Sequence, residues 1–481
     1  MSGDGTKCWF SSEDIWAVWL GLAIVALSLP VAVGIDTLGW VAKAAVWLDP
    51  AKAVAPASKA YSAMPGWASM VLTYGAVTLL VAVGARVMGF RMGHFLAGFT
   101  VIFWLSYGCW IIGHYAYIAQ TPDKRGAMGI SWSMGLTGEA GFIVALMAGL
   151  AIGNFLPRLA LWLKEASRAE WFIKTGIVIL GASLGIKAVA ASGLVSAIMF
   201  RGFAAIIEAY LIYWALVYFI SRRFFGFSRE WAAPLASGIS ICGVSAAIAT
   251  GAAIRARPVV PIMVSSLVVI FSVVELVLLP FAAQTFLSDE PMVAAAWMGL
   301  AVKTDGAAVA SGAVTDSLIR AAAAAKGVAW QPGWMLMTTT TVKVFIDVFI
   351  GIWAFILALV WVYAIDKRPG ERVRAAEIWE RFPKFVIGYF VLFAGVLTCG
   401  IVWPGTRDGL AVATGEADVF RGIFFVMTFF AIGLASNFRR LWAEGIGRLA
   451  MVYVVSLFGF IIWIGLAISW LFFHGVRPPP A

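Results

Sequence analysis

Lys303, Thr304, Asp305 and Gly306 stand together in an otherwise apolar stretch, with Ser311 and Gly312 just beyond. A cation, a titratable acid and a glycine in one turn of chain are what a solute site inside a membrane needs, because charge at that depth is costly unless it has a task. Ser237 to Thr250 offers the complementary half: Gly238 and Gly243 interrupt an apolar run, Ser240 and Ser245 add hydroxyls, and Cys242 lies between them. Irregular backbone at membrane depth is tolerated only where protein or a cavity covers it. A half-helix starting at such a break turns unpaired N–H groups and the positive end of its dipole inward, which suits an oxyanion. Lys343 and Asp347, four apart and therefore on one helix face, follow a run of four threonines, Thr338 to Thr341.

The expected solute contacts are thus Gly238, Ser240, Cys242, Gly243, Ser245, Lys303, Thr304, Gly306, Ser311 and Lys343, with Asp305 and Asp347 exchanging a coupling proton or sodium ion. Arg201 and Glu208, seven apart on one helix, read as a structural ion pair, and Glu275 is a further acid at membrane depth. The four cysteines, Cys8, Cys109, Cys242 and Cys399, are far apart and have no histidine nearby, so neither a metal site nor a disulfide framework is expected. No cofactor is expected.

These residues must be positioned by membrane helices. Of 481 residues, 62% are hydrophobic and 12% charged, and apolar runs of about twenty residues recur along the chain, the length that crosses a bilayer. The runs do not alternate as barrel strands do. The net charge of +10 falls mostly in short loops, where it sets orientation, and no basic stripe interleaved with aromatics marks a nucleic-acid binder. The fold class is an all-α polytopic membrane protein. No removable signal peptide is evident.

Eleven spans are expected near 14–34, 66–84, 93–118, 135–156, 171–190, 194–220, 258–283, 334–363, 383–402, 420–437 and 449–472. Residues 1–120 form extra N-terminal helices suited to a scaffold or oligomer contact, and 135–473 form the core. Residues 474–481, ending in three prolines, look unstructured. Segments 231–254 and 292–318 carry glycine, serine and charge where a plain span carries leucine. Arg222, Arg223, Arg229, Arg255 and Arg257, and the basic stretch from Lys367 to Lys384, ask for the cytoplasm, whereas Asp289 and Glu290 tolerate the outside. Both segments are therefore read as re-entrant hairpins rather than crossing helices, the first entering from the cytoplasm and the second from outside. The N-terminus is then cytoplasmic and the C-terminus periplasmic. Paired broken elements often belong to inverted repeats, and a weak echo exists: Leu180-Gly181 precedes Gly193 by the same spacing as Ile432-Gly433 precedes Gly445, with Lys187 in the first interval and Arg439 and Arg440 in the second.

With these residues in view, the chain resembles the sulfate exporter family of bacterial inner-membrane proteins (YeiH type), from about Gly135 to Phe473. The resemblance rests on the run Thr175 to Gly181, on Ser240-Ile241-Cys242-Gly243-Val244-Ser245-Ala246, on Val309-Ala310-Ser311-Gly312, and on Phe430 to Leu434 ahead of Arg439. It implies a secondary transporter of inverted-repeat architecture, related to bile-acid and cation/proton antiporter carriers, that exports small oxyanions and works as a homodimer. The chain departs from the family pattern at Lys303-Thr304-Asp305 and Ala307, at Ile346 and Asp347 after Lys343, and at Gly251, Arg255 and Arg257.

The reading is a non-enzymatic carrier of a small anion (sulfate, a sulfonate or a carboxylate), coupled to a proton or sodium ion and moving its hairpins as a body. Its partners are that anion, the coupling ion, the lipid bilayer and a second copy. An anion channel is the alternative, although the mixed-sign cluster lacks the rings of like charge that channels use. An intramembrane enzyme is less favoured, since no histidine lies at mid-depth to serve Ser245 as a base.

Overall fold

The structure, a computed structural model, describes residues 12–120, 125–134, 138, 140–190, 192–257, 259–365, 379, 382–436 and 447–481. Cys8, the start of the 135–156 span, Pro258, the basic residues from Lys367 to Arg381, Asn437, Arg439, Arg440 and Gly445 lie outside the described residues. In chain order the helices are α1 (Glu13–Ser28), α2 (Gly66–Val87), α3 (Met92–Gly113), α4 (Ala140–Phe155), α5 (Pro157–Leu163) and α6 (Ala169–Ala190). Then come α7 (Ser192–Ile207), a π-helical turn (Glu208–Tyr213), α8 (Trp214–Arg223), α9 (Arg229–Ser240), α10 (Val244–Ala253) and α11 (Val259–Phe286). The remainder are α12 (Pro291–Ala301), α13 (Asp305–Ala325), α14 (Trp334–Val348), α15 (Ile350–Val360), α16 (Phe385–Val402), α17 (Arg407–Ala435), α18 (Gly447–Ser456) and α19 (Ile462–Phe473).

Ten helices among the described residues are long and apolar enough to cross a bilayer, or eleven if α4 and α5, bent by 115°, count as one span. Proline at the first position of α5 cannot donate back to α4, which is why the helix turns there. The protein is an all-α polytopic membrane protein, as its composition requires.

The chain packs into two compact units. The first holds Met1–Val195, Ala324–Val328 and Lys384–Ala435, so the N-terminal helices share a unit with α4, α6, α16 and α17. Helices α4 and α17 touch backbone to backbone: a Cβ on Gly433 would stand 2.3 Å from Leu146 O, and one on Gly149 would stand 2.1 Å from Phe430 O. Small residues at such crossings are how membrane helices gain packing without a hydrophobic drive. Gly181, the other half of the internal echo, meets α16 in the same way, 2.4 Å from Tyr389 O. Two features here differ from expectation. The connection after α1 contains a two-stranded antiparallel sheet, β1 (Ala42–Ala44) with β2 (Val54–Pro56). Helix α17 begins at Arg407 rather than near Phe420, because Asp418, which dilutes the apolar signal, is held by Arg421 at 2.5 Å.

The second unit holds Ser196–Ala323, Ala329–Pro383 and Ser436–Ala481. Its first hairpin is α9 and α10. Thr250 Oγ1 donates to Ser237 Oγ at 2.7 Å across a sequence separation of 13, which a straight helix would spread over about 20 Å. The chain therefore turns back at 241–243. Glu230 closes the base, accepting from the Arg257 backbone N–H at 2.8 Å and pairing with its guanidinium at 3.0 Å.

The second hairpin is α12 and α13. Thr339 on α14 lies between its arms: its Oγ1 donates to Ala295 O at 2.7 Å and would stand 2.7 Å from a Cβ on Gly312. One side chain reaches both arms only if they run antiparallel. Helix α11 relates the two hairpins, since Gly251 faces Pro261, Gly238 faces Val264, Gly243 faces Val268, and Glu275 binds the Lys303 N–H. A path along α11 meets the first hairpin's base, then its tip, then the tip of the second hairpin, and ends where α12 begins. The hairpins enter from opposite ends and meet tip to tip.

Asp316 on α13 fixes the start of α14. Its carboxylate accepts from Gly333 N at 3.0 Å and Met335 N at 3.1 Å, backbone groups that open a helix without an intrahelical partner, and is held in turn by Arg320 Nε at 2.7 Å. Asp316→Ala is expected to cost about 1–2 kcal/mol, read as a lower melting midpoint in detergent, and Asp316→Asn less. The C-terminal tail, which reads as unstructured, instead pairs with the loop before α14: Gln331 N donates to Pro479 O at 3.0 Å and Ala481 N to Ala329 O at 2.9 Å. Prolines lack an N–H but keep a carbonyl, so a proline-rich tail can still accept.

Candidate functional site

The site is the meeting point of the two hairpin tips. In the first, α9 ends at Ser240, Ile241 leaves helical geometry, and Gly243 adopts φ 74° and ψ −103°. That conformation is open to glycine and strained for other residues. In the second, α12 ends at Ala301, Val302 is extended, and α13 restarts at Asp305. Gly243 lies against the second tip, where a Cβ would stand 3.0 Å from Thr304 Cγ2 and 3.3 Å from Lys303 O. Each break thus presents one helix C-terminus and one helix N-terminus to the junction.

Lys343 serves the C-terminal ends. Its Nζ donates to Ile241 O at 2.7 Å, Val302 O at 3.2 Å and Lys303 O at 3.3 Å. All three N–H groups of the ammonium are accounted for by backbone. Lys343 is therefore a strut between the tips. Its partner a turn along, Asp347, comes together with Cys242 and Asp305: one ligand atom from each lies within 4.8 Å of the others, and all three residues are buried. Asp305 and Asp347 are the acids expected to serve a coupling ion; the fold adds Cys242, which no sequence spacing joins to them, and sets a thiol beside two carboxylates, a donor set able to hold a cation.

Lys303 is fully buried in the second tip. Its Nζ donates to the Leu300 carbonyl and lies 4.7 Å from the centre of the Tyr213 ring. Its backbone N–H donates to Glu275 Oε2 at 2.8 Å, and Glu275 Oε1 accepts from Tyr453 at 2.5 Å. Glu208 accepts from the Tyr213 hydroxyl. Arg201 sits instead over the Phe473 ring at 6.0 Å, so the expected Arg201–Glu208 ion pair is not formed. The π turn beginning at Glu208 brings residues five apart into line, and Tyr213 is the fifth.

The remaining expected contacts lie in the two hairpins. Gly238 is helical, and its bare Cα makes room for Val264; it does not form the break. Ser311 donates to Ala307 O at 2.7 Å, and Thr304 Oγ1 caps α13 by accepting from Ala307 N at 3.2 Å. Thr338 and Thr340 donate to carbonyls four residues back on α14, as threonines in membrane helices commonly do. Gly306 lies buried in the first turn of α13. Ser245 stands half-buried in the first turn of α10, and Ser240 is buried with its hydroxyl unpaired among the described residues. Glu275 and Glu208, the anchors of the second tip's surroundings, were visible as acids at membrane depth but carried no spacing that joined them to Lys303.

Residues 134–452 match the family model described as Conserved hypothetical protein 698. The chain is 40% identical to a UPF0324 membrane protein of Nitrosomonas europaea over 98% of its own length and 98% of that protein. That match takes in the N-terminal helices, so the relative shares them. A UPF0324 membrane protein of Rhodopirellula baltica is 29% identical over 81% of this chain and 65% of its own. A protein of Archaeoglobus fulgidus is 51% identical over 31% of this chain and 93% of its own. No solved structure matches the chain. The names of the Nitrosomonas and Rhodopirellula relatives state a membrane protein and no solute.

Proposed function

We propose that this chain, which belongs to the UPF0324 membrane protein family described as Conserved hypothetical protein 698, is a secondary carrier of a small anion. The supporting observation is the junction itself: two broken helices entering from opposite ends, with the N-termini of α10 and α13 side by side at their tips. Discontinuous helices of this kind are how many carriers offer backbone donors to an anionic group near the bilayer midplane. Sulfate, a sulfonate or a short carboxylate fits that chemistry, as the resemblance to sulfate exporters implies. Lys303, the buried cation not committed to the strut, supplies the countercharge.

Coupling follows from the charge count. Lys303 and Lys343 face Glu208, Glu275, Asp305 and Asp347, all buried, which leaves two excess negative charges if every group is ionised. Uncompensated charge in a dry interior is expensive, so the site takes up protons, and we assign that exchange to Asp305 and Asp347. Alternating access comes from movement of the hairpin unit as a body, in a homodimer of the bacterial inner membrane with its N-terminus cytoplasmic.

A cation solute is the second reading, favoured by the thiol and two carboxylates gathered around Cys242. Proteoliposome flux separates the two. Saturable uptake of sulfate, a sulfonate or a carboxylate, driven by a pH gradient and abolished in Lys303→Ala with folded protein retained, is the expected result. Unchanged anion flux in Lys303→Ala, or saturable flux of cations alone, would remove the anion reading.

A further inference from the structure

We infer that the junction of the hairpin tips is a monovalent-cation site whose resident cation is the ammonium of Lys343. Three carbonyl oxygens converge on Nζ, at 2.7, 3.2 and 3.3 Å, one from Ile241 and two from the consecutive residues Val302 and Lys303, two stretches of chain brought together only in the fold. Ile241 and Val302 are the residues that cap α9 and α12 at their C-terminal ends. Each helix end carries roughly half a negative charge from its unpaired carbonyls. Two such ends meeting tip to tip repel each other unless a cation lies between them.

Backbone carbonyls closing on one point are how proteins replace the hydration shell of a bare monovalent cation. Here the shell is filled by a group the chain supplies for itself. An ammonium is tied to α14 by its own stem, so it cannot exchange with solvent cations, and the junction in the wild-type protein is closed to free alkali ions. Asp347, one helical turn beyond Lys343, and Asp305, two residues beyond Lys303, lie close to each other and add negative charge to the surroundings. Removing the lysine head therefore leaves a cradle of carbonyls at two negative helix ends, and its distances suit an ion of ammonium's size: ammonium, methylammonium or potassium.

This inference does not depend on the carrier reading, and its test reads binding rather than flux. Purified wild-type protein and Lys343→Ala are melted in detergent in chloride salts of choline, potassium, ammonium and methylammonium at one ionic strength. A ligand that binds only the folded state raises its midpoint in a saturable way. Wild type is expected to melt alike in all four salts. Lys343→Ala is expected to melt lower in choline and to recover by several degrees, with saturation, in ammonium, methylammonium or potassium. Lys343→Met, which refills the stem without a charge, is expected to melt low and to stay low in every salt. Equal melting of Lys343→Ala in choline and in the three smaller cations overturns the inference, as does full recovery of Lys343→Met. If Lys343→Ala yields no folded protein, the wild type and Lys343→Met decide: wild-type melting that is alike in all four salts, with Lys343→Met low in every salt, supports the inference, and a saturable gain of the wild type in potassium over choline overturns it.

Discussion

Gly243→Ala is expected to leave little folded protein, with a loss of about 2–6 kcal/mol read as a collapse of the melting transition in detergent. Two costs add. The backbone at φ 74° and ψ −103° lies where a residue with a Cβ is strained by about 1–3 kcal/mol. The new methyl would also stand 2.8 Å from Val268 Cγ1, 3.0 Å from Thr304 Cγ2 and 3.3 Å from Lys303 O, and overpacking a tight interior costs about 1–3 kcal/mol more. Thr304 and Lys303 belong to the other hairpin, so relief would have to come from separating the tips. Gly238→Ala is the control. Its site is helical and its nearest neighbour is the Val264 side chain at 2.9 Å, so only the packing cost applies. Equal losses in the two variants would show that the break does not depend on the conformation of Gly243.

That contrast marks where the sequence is legible. Both hairpins can be read because glycine, serine and charge interrupt apolar runs, and because loop charge sets the ends from which they enter. Which glycine makes the break cannot be read. Gly238 and Gly243 look alike in composition, and only the position of Val264 on α11 shows that the first is needed for close packing within a helix. The same holds for Lys343: a lysine beside an acid on one face reads as a solute contact, whereas its three acceptors come from residues 241, 302 and 303. No spacing rule within α14 could forecast that. Long-range gathering also hid the proximity of Cys242, Asp305 and Asp347.

Local rules failed where backbone geometry changed. A seven-residue spacing puts Arg201 and Glu208 on one α-helical face, but the π turn that starts at Glu208 supplies Tyr213 as a nearer partner. The start of α17 was hidden for a different reason. Asp408, Glu416 and Asp418 lower the apolar signal over a stretch that is nevertheless helical, and hydropathy does not register the pairing of Asp418 with Arg421 there.

Glu275→Leu is the second variant expected to be severe. Glu275 sits on α11 with one carboxylate oxygen accepting from the Lys303 N–H at 2.8 Å and the other from the Tyr453 hydroxyl at 2.5 Å. It is thus the side chain that ties the tip of the second hairpin to α11 and to α18 at once. Leucine has nearly the right volume but no acceptor, so a buried N–H and a buried O–H both lose their partner. Each orphaned group costs about 1–3 kcal/mol, and a loss of about 2–6 kcal/mol in melting stability is expected. Glu275→Gln keeps an oxygen for one donor and should lose about half as much. Tyr453→Phe removes one donor, retains the stacking on Phe271 at 4.5 Å, and should cost about 1 kcal/mol. Because the leucine variant's cost includes the orphaned tyrosine, combining it with Tyr453→Phe should lose less than the sum of the two single changes. A double variant that loses the full sum would mean that Glu275 and Tyr453 contribute to stability independently, and that the bond between them is not what holds α18 to the second tip.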